Sequence, residues 1–102
     1  MIVVRYEDTC RPGKYDDAVA WMKSIFEEGG VWYNKAKGYR VFTSSYSGGS
    51  NRIVAETMWE SLAEWEVGRE VQSAAPPSYW ESYNEVFTDN GHWSYWNQEA
   101  EG

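Results

Sequence analysis

The chain has 102 residues, 42% of them hydrophobic, with 9 Lys+Arg against 16 Asp+Glu for a net charge of −7. That length supports one domain with one core and leaves no room for a second catalytic domain or a large cofactor fold. The acidic balance argues against a nucleic-acid partner, since affinity for a phosphate backbone comes mainly from Lys and Arg. No apolar run approaches the ~20 residues of a membrane span. Ile2 to Val4, ahead of Arg5, is far short of a signal-peptide core. The single Cys10 excludes an intramolecular disulfide framework and a thiolate-rich metal site. The expectation is a cytoplasmic protein with neither a nucleic-acid nor a membrane partner.

Residues Ile2 to Glu7 read as a strand, with Ile2, Val4 and Tyr6 on one face and Val3, Arg5 and Glu7 on the other. Asp8 to Gly13 reads as a turn punctuated by Pro12 and Gly13. From Lys14 the period becomes helical. Tyr15, Ala18, Val19, Met22, Ile25 and Phe26 form an apolar stripe, Asp16 and Asp17 complement the helix dipole, and Gly29-Gly30 supplies the stop. Val31 to Lys37 reads as a polar loop. Its Lys35 and Lys37, with Arg40, form the only local basic cluster, which reads as a solvated turn.

A second strand is expected from about Tyr39 to Tyr46, a hairpin turn at Ser47 to Asn51, and a returning strand from Arg52 to Trp59. Ser61 and Glu64 form a capping box opening a helix to about Gly68 or Glu70. After the break at Pro76-Pro77, Ser78 and Glu81 suggest a second box and a short helix to about Phe87. His92 to Trp96 reads as the last strand, so residues 1–96 form one domain and 97–102 an acidic tail.

This order predicts an α+β fold: a ferredoxin-like βαββαβ unit with an extra short helix before the last strand, its helices covering one face of a four-stranded antiparallel sheet. The chain carries 7 Trp, 8 Tyr and 3 Phe, or 18% aromatic residues. One small core cannot enclose all of these, as each ring buries ~150–250 Å². The surplus predicts a cavity, a subunit interface, or both. No helix remains to cover the second face of the sheet, so a homodimer through that face is expected.

Val54 to Ser61 (Val-Ala-Glu-Thr-Met-Trp-Glu-Ser), running from strand into capped helix and followed by Leu62 to Trp65, resembles the dimeric α/β-barrel superfamily. That superfamily includes antibiotic-biosynthesis-type monooxygenases, haem-degrading monooxygenases and NIPSNAP-like proteins. The resemblance implies a homodimeric barrel with a pocket in each monomer between sheet and helices, and activities too diverse for the fold to select one.

Tyr6, Tyr46, Trp59 and Trp65 are the candidate walls of such a pocket, and Arg40 the candidate cation for an anionic oxygen. Packing of helix on sheet is the alternative role for Trp59 and Trp65. His92, the only histidine, is a candidate general base or axial haem ligand, or else a strand-end group bonded locally. Haem-degrading members resemble one another in an Asn on the first strand, a Trp on the helix after Trp-Glu-Ser and a His on a later helix. Here the first strand has no Asn, Trp65 falls one turn early, and His92 lies on a strand. One His and one Cys cannot supply zinc's usual ligands, and no Asp-x-Asp-x-Asp loop suits calcium, so no metal site is expected. Nor does a Gly-rich nucleotide loop occur, which suits a reaction needing no bound cofactor. Small-molecule binding, with oxygenation or isomerisation of an enolisable aromatic substrate, is the leading expectation. A structural or interaction domain, and a haem-binding or haem-degrading protein, are the alternatives.

Overall fold

The computed structural model describes residues 1–44 and 51–101. The expected hairpin turn and Tyr46 therefore fall, wholly or in part, outside the described residues. The elements are β1 (Ile2–Thr9), α1 (Tyr15–Ser24), β2 (Gly38–Thr43), β3 (Arg52–Trp59), α2 (Leu62–Ser73), α3 (Pro77–Val86) and β4 (His92–Asn97). All pairings are antiparallel and the strand order is β2-β3-β1-β4, the expected ferredoxin-like sheet.

The registers fix the two faces. Val4 pairs with Thr57 and Tyr95, and Tyr6 with Ala55 and Trp93. Side chains alternate along a strand, so these residues share the inner face with Asp8, Ile53 and Trp59. The outer face holds Val3, Arg5, Glu7, Phe42, Val54, Met58, His92 and Trp96. The core lies on the inner side, with Val4, Met22, Ile53, Thr57, Trp59 and Phe87 almost wholly removed from water.

Several element limits differ from expectation for physical reasons. β1 continues through Thr9, because the chain beyond it is held on both sides. The Cys10 amide donates to the Asn51 carbonyl at 2.8 Å, the Arg11 amide to Val86 at 2.8 Å and the Thr88 amide to Thr9 at 3.0 Å. Asp8, expected in a turn, is thereby carried onto the inner face. α1 stops at Ser24, and turns bring Trp32 back so that its amide donates to the Ile25 carbonyl at 2.8 Å. Trp32 is 3% exposed and its indole N–H donates to the Gly68 carbonyl at 2.8 Å, so the expected polar loop contributes to the core.

The Ser61 cap is present, its hydroxyl accepting from the Glu64 amide at 3.2 Å, and α2 runs on to Ser73. α3 starts with Pro77 in its first turn and Pro76 as an N-cap without a side-chain bond; Ser78 is inside the helix. Proline's fixed φ suits the first helical position, where no amide bond is forfeited. β4 extends through Asn97, one residue into the expected tail. Gly68 allows α2 to approach β3, since a Cβ there would lie 2.6 Å from the Trp59 ring.

Candidate functional site

Between the inner face and the helices lies a cavity of about 360 Å³. Tyr6, Ala55 and Trp93 form its sheet side, and Trp21 and Met22 of α1 with Trp32 form one wall. Arg69 and Gln72 of α2 and Tyr79 and Tyr83 of α3 form the others, with Asp89 and Gly91 at the loop before β4. On the sheet, Tyr6 and Trp93 have ring centroids 4.5 Å apart. On the helices, the Trp21 ring lies 5.1 Å from Tyr79 and 5.2 Å from Tyr83.

Polar contacts hold these rings in place. The Trp21 indole N–H donates to the Ser82 hydroxyl at 2.9 Å, and the Gln72 amide to the Tyr79 hydroxyl at 3.0 Å. Arg69 donates from Nη1 to Gln72 Oε1 at 3.0 Å and to the Ser73 hydroxyl at 3.2 Å, and its guanidinium lies 5.4 Å from the Trp93 ring centroid. Among the described residues Arg69 has no carboxylate partner, so its charge is available to the cavity.

One end of the cavity is a buried polar cluster. Asp8 is 3% exposed. Its Oδ1 accepts from the Thr9 amide at 2.7 Å, and from the Thr88 hydroxyl and the Asn90 amide at 3.2 Å each. The Tyr83 hydroxyl donates to its Oδ2 and in turn bonds the Tyr6 hydroxyl. Every partner can donate, which is the surrounding a carboxylate requires. Burial pushes the Tyr6 phenol up to about 12, opposed by its bond to Tyr83 and reinforced by Asp8 and Asp89. Burial, then the bonds to Asp8 and Tyr6, raise Tyr83 as well. Both tyrosines are therefore neutral hydroxyls at physiological pH.

Of the residues expected from sequence, Tyr6 lines this cavity. Trp59, 1% exposed, donates to the Thr57 hydroxyl at 2.8 Å and packs edge-on against Trp32 and Trp65 beneath α2. Trp65, 4% exposed, stands behind Trp93 at 5.2 Å. Neither tryptophan is among the residues lining the cavity; both pack in the core beside it.

His92 and Arg40 lie on the outer face, away from the cavity. His92 Nε2 is 3.0 Å from Glu7 Oε1, in a cluster where Glu7 also pairs with Arg52, and Arg40 stands 3.9 Å from Glu56. The sequence reading missed Asp8, Trp21, Arg69, Tyr79 and Tyr83. Helical spacing offered a partial signal: Tyr79 and Tyr83 are four apart on α3, and Arg69 is four residues beyond Trp65 on α2. Cys10 is 2% exposed and burial raises its thiol pKa, so it presents no accessible nucleophile.

The architecture is that of known small α+β proteins. A NIPSNAP domain protein from Burkholderia xenovorans superposes with a TM-score of 0.73 at 16% identity, over 98% of this chain and 96% of that one. An antibiotic biosynthesis monooxygenase superposes at 0.65 with 13% identity, over 98% and 100%. A protein from Agrobacterium tumefaciens superposes at 0.69 with 17% identity, over 95% and 92%. At these identities the likeness establishes a shared ferredoxin-like fold. No protein-family model and no curated protein sequence matches the chain. Among the described residues no helix is long and apolar enough to cross a membrane.

Proposed function

We propose that the protein binds a small planar aromatic ligand in the cavity between sheet and helices, and that any chemistry there is cofactor-independent oxygenation or isomerisation of an enolisable aromatic. The observation that carries this is the cavity of about 360 Å³ itself, walled by Tyr6, Trp93, Trp21 and Tyr79 and furnished with one unpaired cation, Arg69. Sites of roughly 300–1,000 Å³ with apolar walls and a few convergent polar groups are typical for small molecules. In this reading Arg69 holds the anionic oxygen, the part sequence assigned to Arg40, and Tyr6 walls the polar end. The NIPSNAP and monooxygenase neighbours support the fold and leave the ligand open. The buried free thiol of Cys10 accords with a reducing compartment, and we take the cytoplasm as the setting.

A second surface accompanies the cavity. On the outer face Trp96 of β4 is 60% exposed in the row of Val3 and Met58, and Phe42 of β2 is 42% exposed beside Val54. We assign that face to a homodimer, which places His92 and Arg40 at the subunit interface.

The ligand reading is tested by titrating the protein with a panel of planar aromatics (naphthalene, indole, 2-naphthoate, 2-naphthol) while following tryptophan fluorescence. At least one member is expected to quench saturably. Tyr79→Ala should weaken that binding roughly three- to tenfold, the worth of one aromatic contact, and Arg69→Ala should weaken the naphthoate selectively. Arg40→Ala should leave affinity unchanged. A panel without saturable quenching, or quenching insensitive to Tyr79 and Arg69, contradicts the reading.

A further inference from the structure

The hydrogen bonds at the polar end of the cavity have a direction. A tyrosine hydroxyl has one proton to give. Tyr83 gives its proton to Asp8 Oδ2, so toward Tyr6 its oxygen can only accept. Tyr6 lies 3.5 Å from the same carboxylate oxygen, at the limit of a hydrogen bond, and so donates to Tyr83 instead. With its proton committed, Tyr6 offers a ligand in the cavity a lone pair. Glycine at residue 91 lets the Tyr6 hydroxyl take this place, since a Cβ there would overlap it, and both residues line the cavity.

We propose that the Tyr6–Tyr83–Asp8 chain is a proton relay that makes the cavity a base toward neutral phenols and enols. This rests on the reading of the cavity as an aromatic-ligand site and narrows its ligand class. In the transfer the ligand O–H bond breaks and a Tyr6 O–H bond forms. The former Tyr6 proton passes to Tyr83, and the former Tyr83 proton passes to Asp8 Oδ2. The negative charge moves from the buried carboxylate to the ligand oxygen, in a cavity that already holds the unpaired Arg69. No electron changes hands, and both tyrosines end as they began. Tyr6 alone touches the ligand, while Tyr83 and Asp8 act through it. Asp89 is the carboxylate that lines the cavity directly, exposed at its edge, whereas Asp8 lies behind the two tyrosines, so Asp89 is the competing acceptor.

The test uses 2-naphthol, which becomes a far stronger acid when excited, with excitation to the red of tryptophan absorption and protein in excess. Bound to the native protein, the probe should emit as naphtholate. In Asp8→Asn and in Tyr6→Phe it should still quench tryptophan but emit as neutral naphthol. Tyr6 is only part-buried, so that variant keeps the test informative if Asp8→Asn fails to fold. Asp89→Asn should retain the naphtholate band. 2-Methoxynaphthalene, which has no proton to give, should bind roughly three- to tenfold more weakly than 2-naphthol, the worth of one hydrogen bond. Neutral-naphthol emission from the native complex, or loss of the naphtholate band in Asp89→Asn alone, overturns the relay while leaving the cavity reading intact. Absence of quenching by 2-naphthol overturns the relay, and absence of quenching by every member of the panel overturns the cavity reading as well.

Discussion

Replacing Trp59 with alanine is expected to destabilise the protein by about 3–5 kcal/mol, the range for deleting a buried large aromatic side chain. Three features put Trp59 in that class. It is 1% exposed, its indole N–H is spent on the Thr57 hydroxyl at 2.8 Å, and its ring is enclosed by Trp32 and Trp65. The close approach of Gly68 removes any room for the helix to settle into the void, because α2 already touches the ring. A domain of this size has roughly 5–15 kcal/mol in total, so a large share of its stability would go. Thermal unfolding should move down by roughly 15–30 °C. Trp59→Phe, which keeps a ring but loses the indole bond, should cost less. Unchanged stability with lost ligand affinity in Trp59→Ala would instead make Trp59 a ligand wall, the role the sequence first suggested for it.

The second large effect is expected on the outer face. Phe42 and Trp96 are exposed on a sheet whose other face is covered by the protein's own helices. In a two-fold dimer each substitution acts twice, and truncating an aromatic anchor, here one on each edge strand, costs ~2 kcal/mol or more. The double variant Phe42→Asp, Trp96→Asp should therefore weaken association by at least about a thousandfold, converting dimers to monomers in sedimentation at micromolar concentration. Its far-ultraviolet circular dichroism should be unchanged, because neither side chain belongs to the inner core. Native protein that sediments as single subunits at high micromolar concentration would contradict the interface assignment.

Much of the fold is legible along the chain because its signals are local. The Arg52–Trp59 strand is bounded by turn residues on one side and the Ser61 cap on the other, and the structure places it between those limits. The α1 stripe of Ala18 and Met22 is likewise buried, as its period predicts. The candidate site is less legible because it depends on pairing between distant elements. Asp8 carries the composition of a turn. Its pairing opposite Ile53, with the clamp from Asn51, Val86 and Thr88 just beyond it, makes it part of a strand, and donors about 80 residues away join the adjacent Thr9 amide in making its burial tolerable. Trp32 sits among glycines and lysines, and nothing local shows that Gly68 will accept its indole proton. His92 stands out by residue type, but its face follows from the β1–β4 register, which sets it opposite Glu7 on the outer side. Residue chemistry marked candidates; strand register decided which of them meet.

The central claim is that the space between Tyr6, Trp93, Trp21 and Tyr79 is a ligand site. It is tested most directly by a crystal structure of the protein grown with the tightest-binding aromatic of the panel. The account predicts a planar ring among those four side chains, with a naphthol hydroxyl, where the ligand carries one, within hydrogen-bond distance of the Tyr6 hydroxyl. A cavity closed by inward collapse of Trp21 or Trp93, with the aromatic bound only on the outer sheet face, would contradict it.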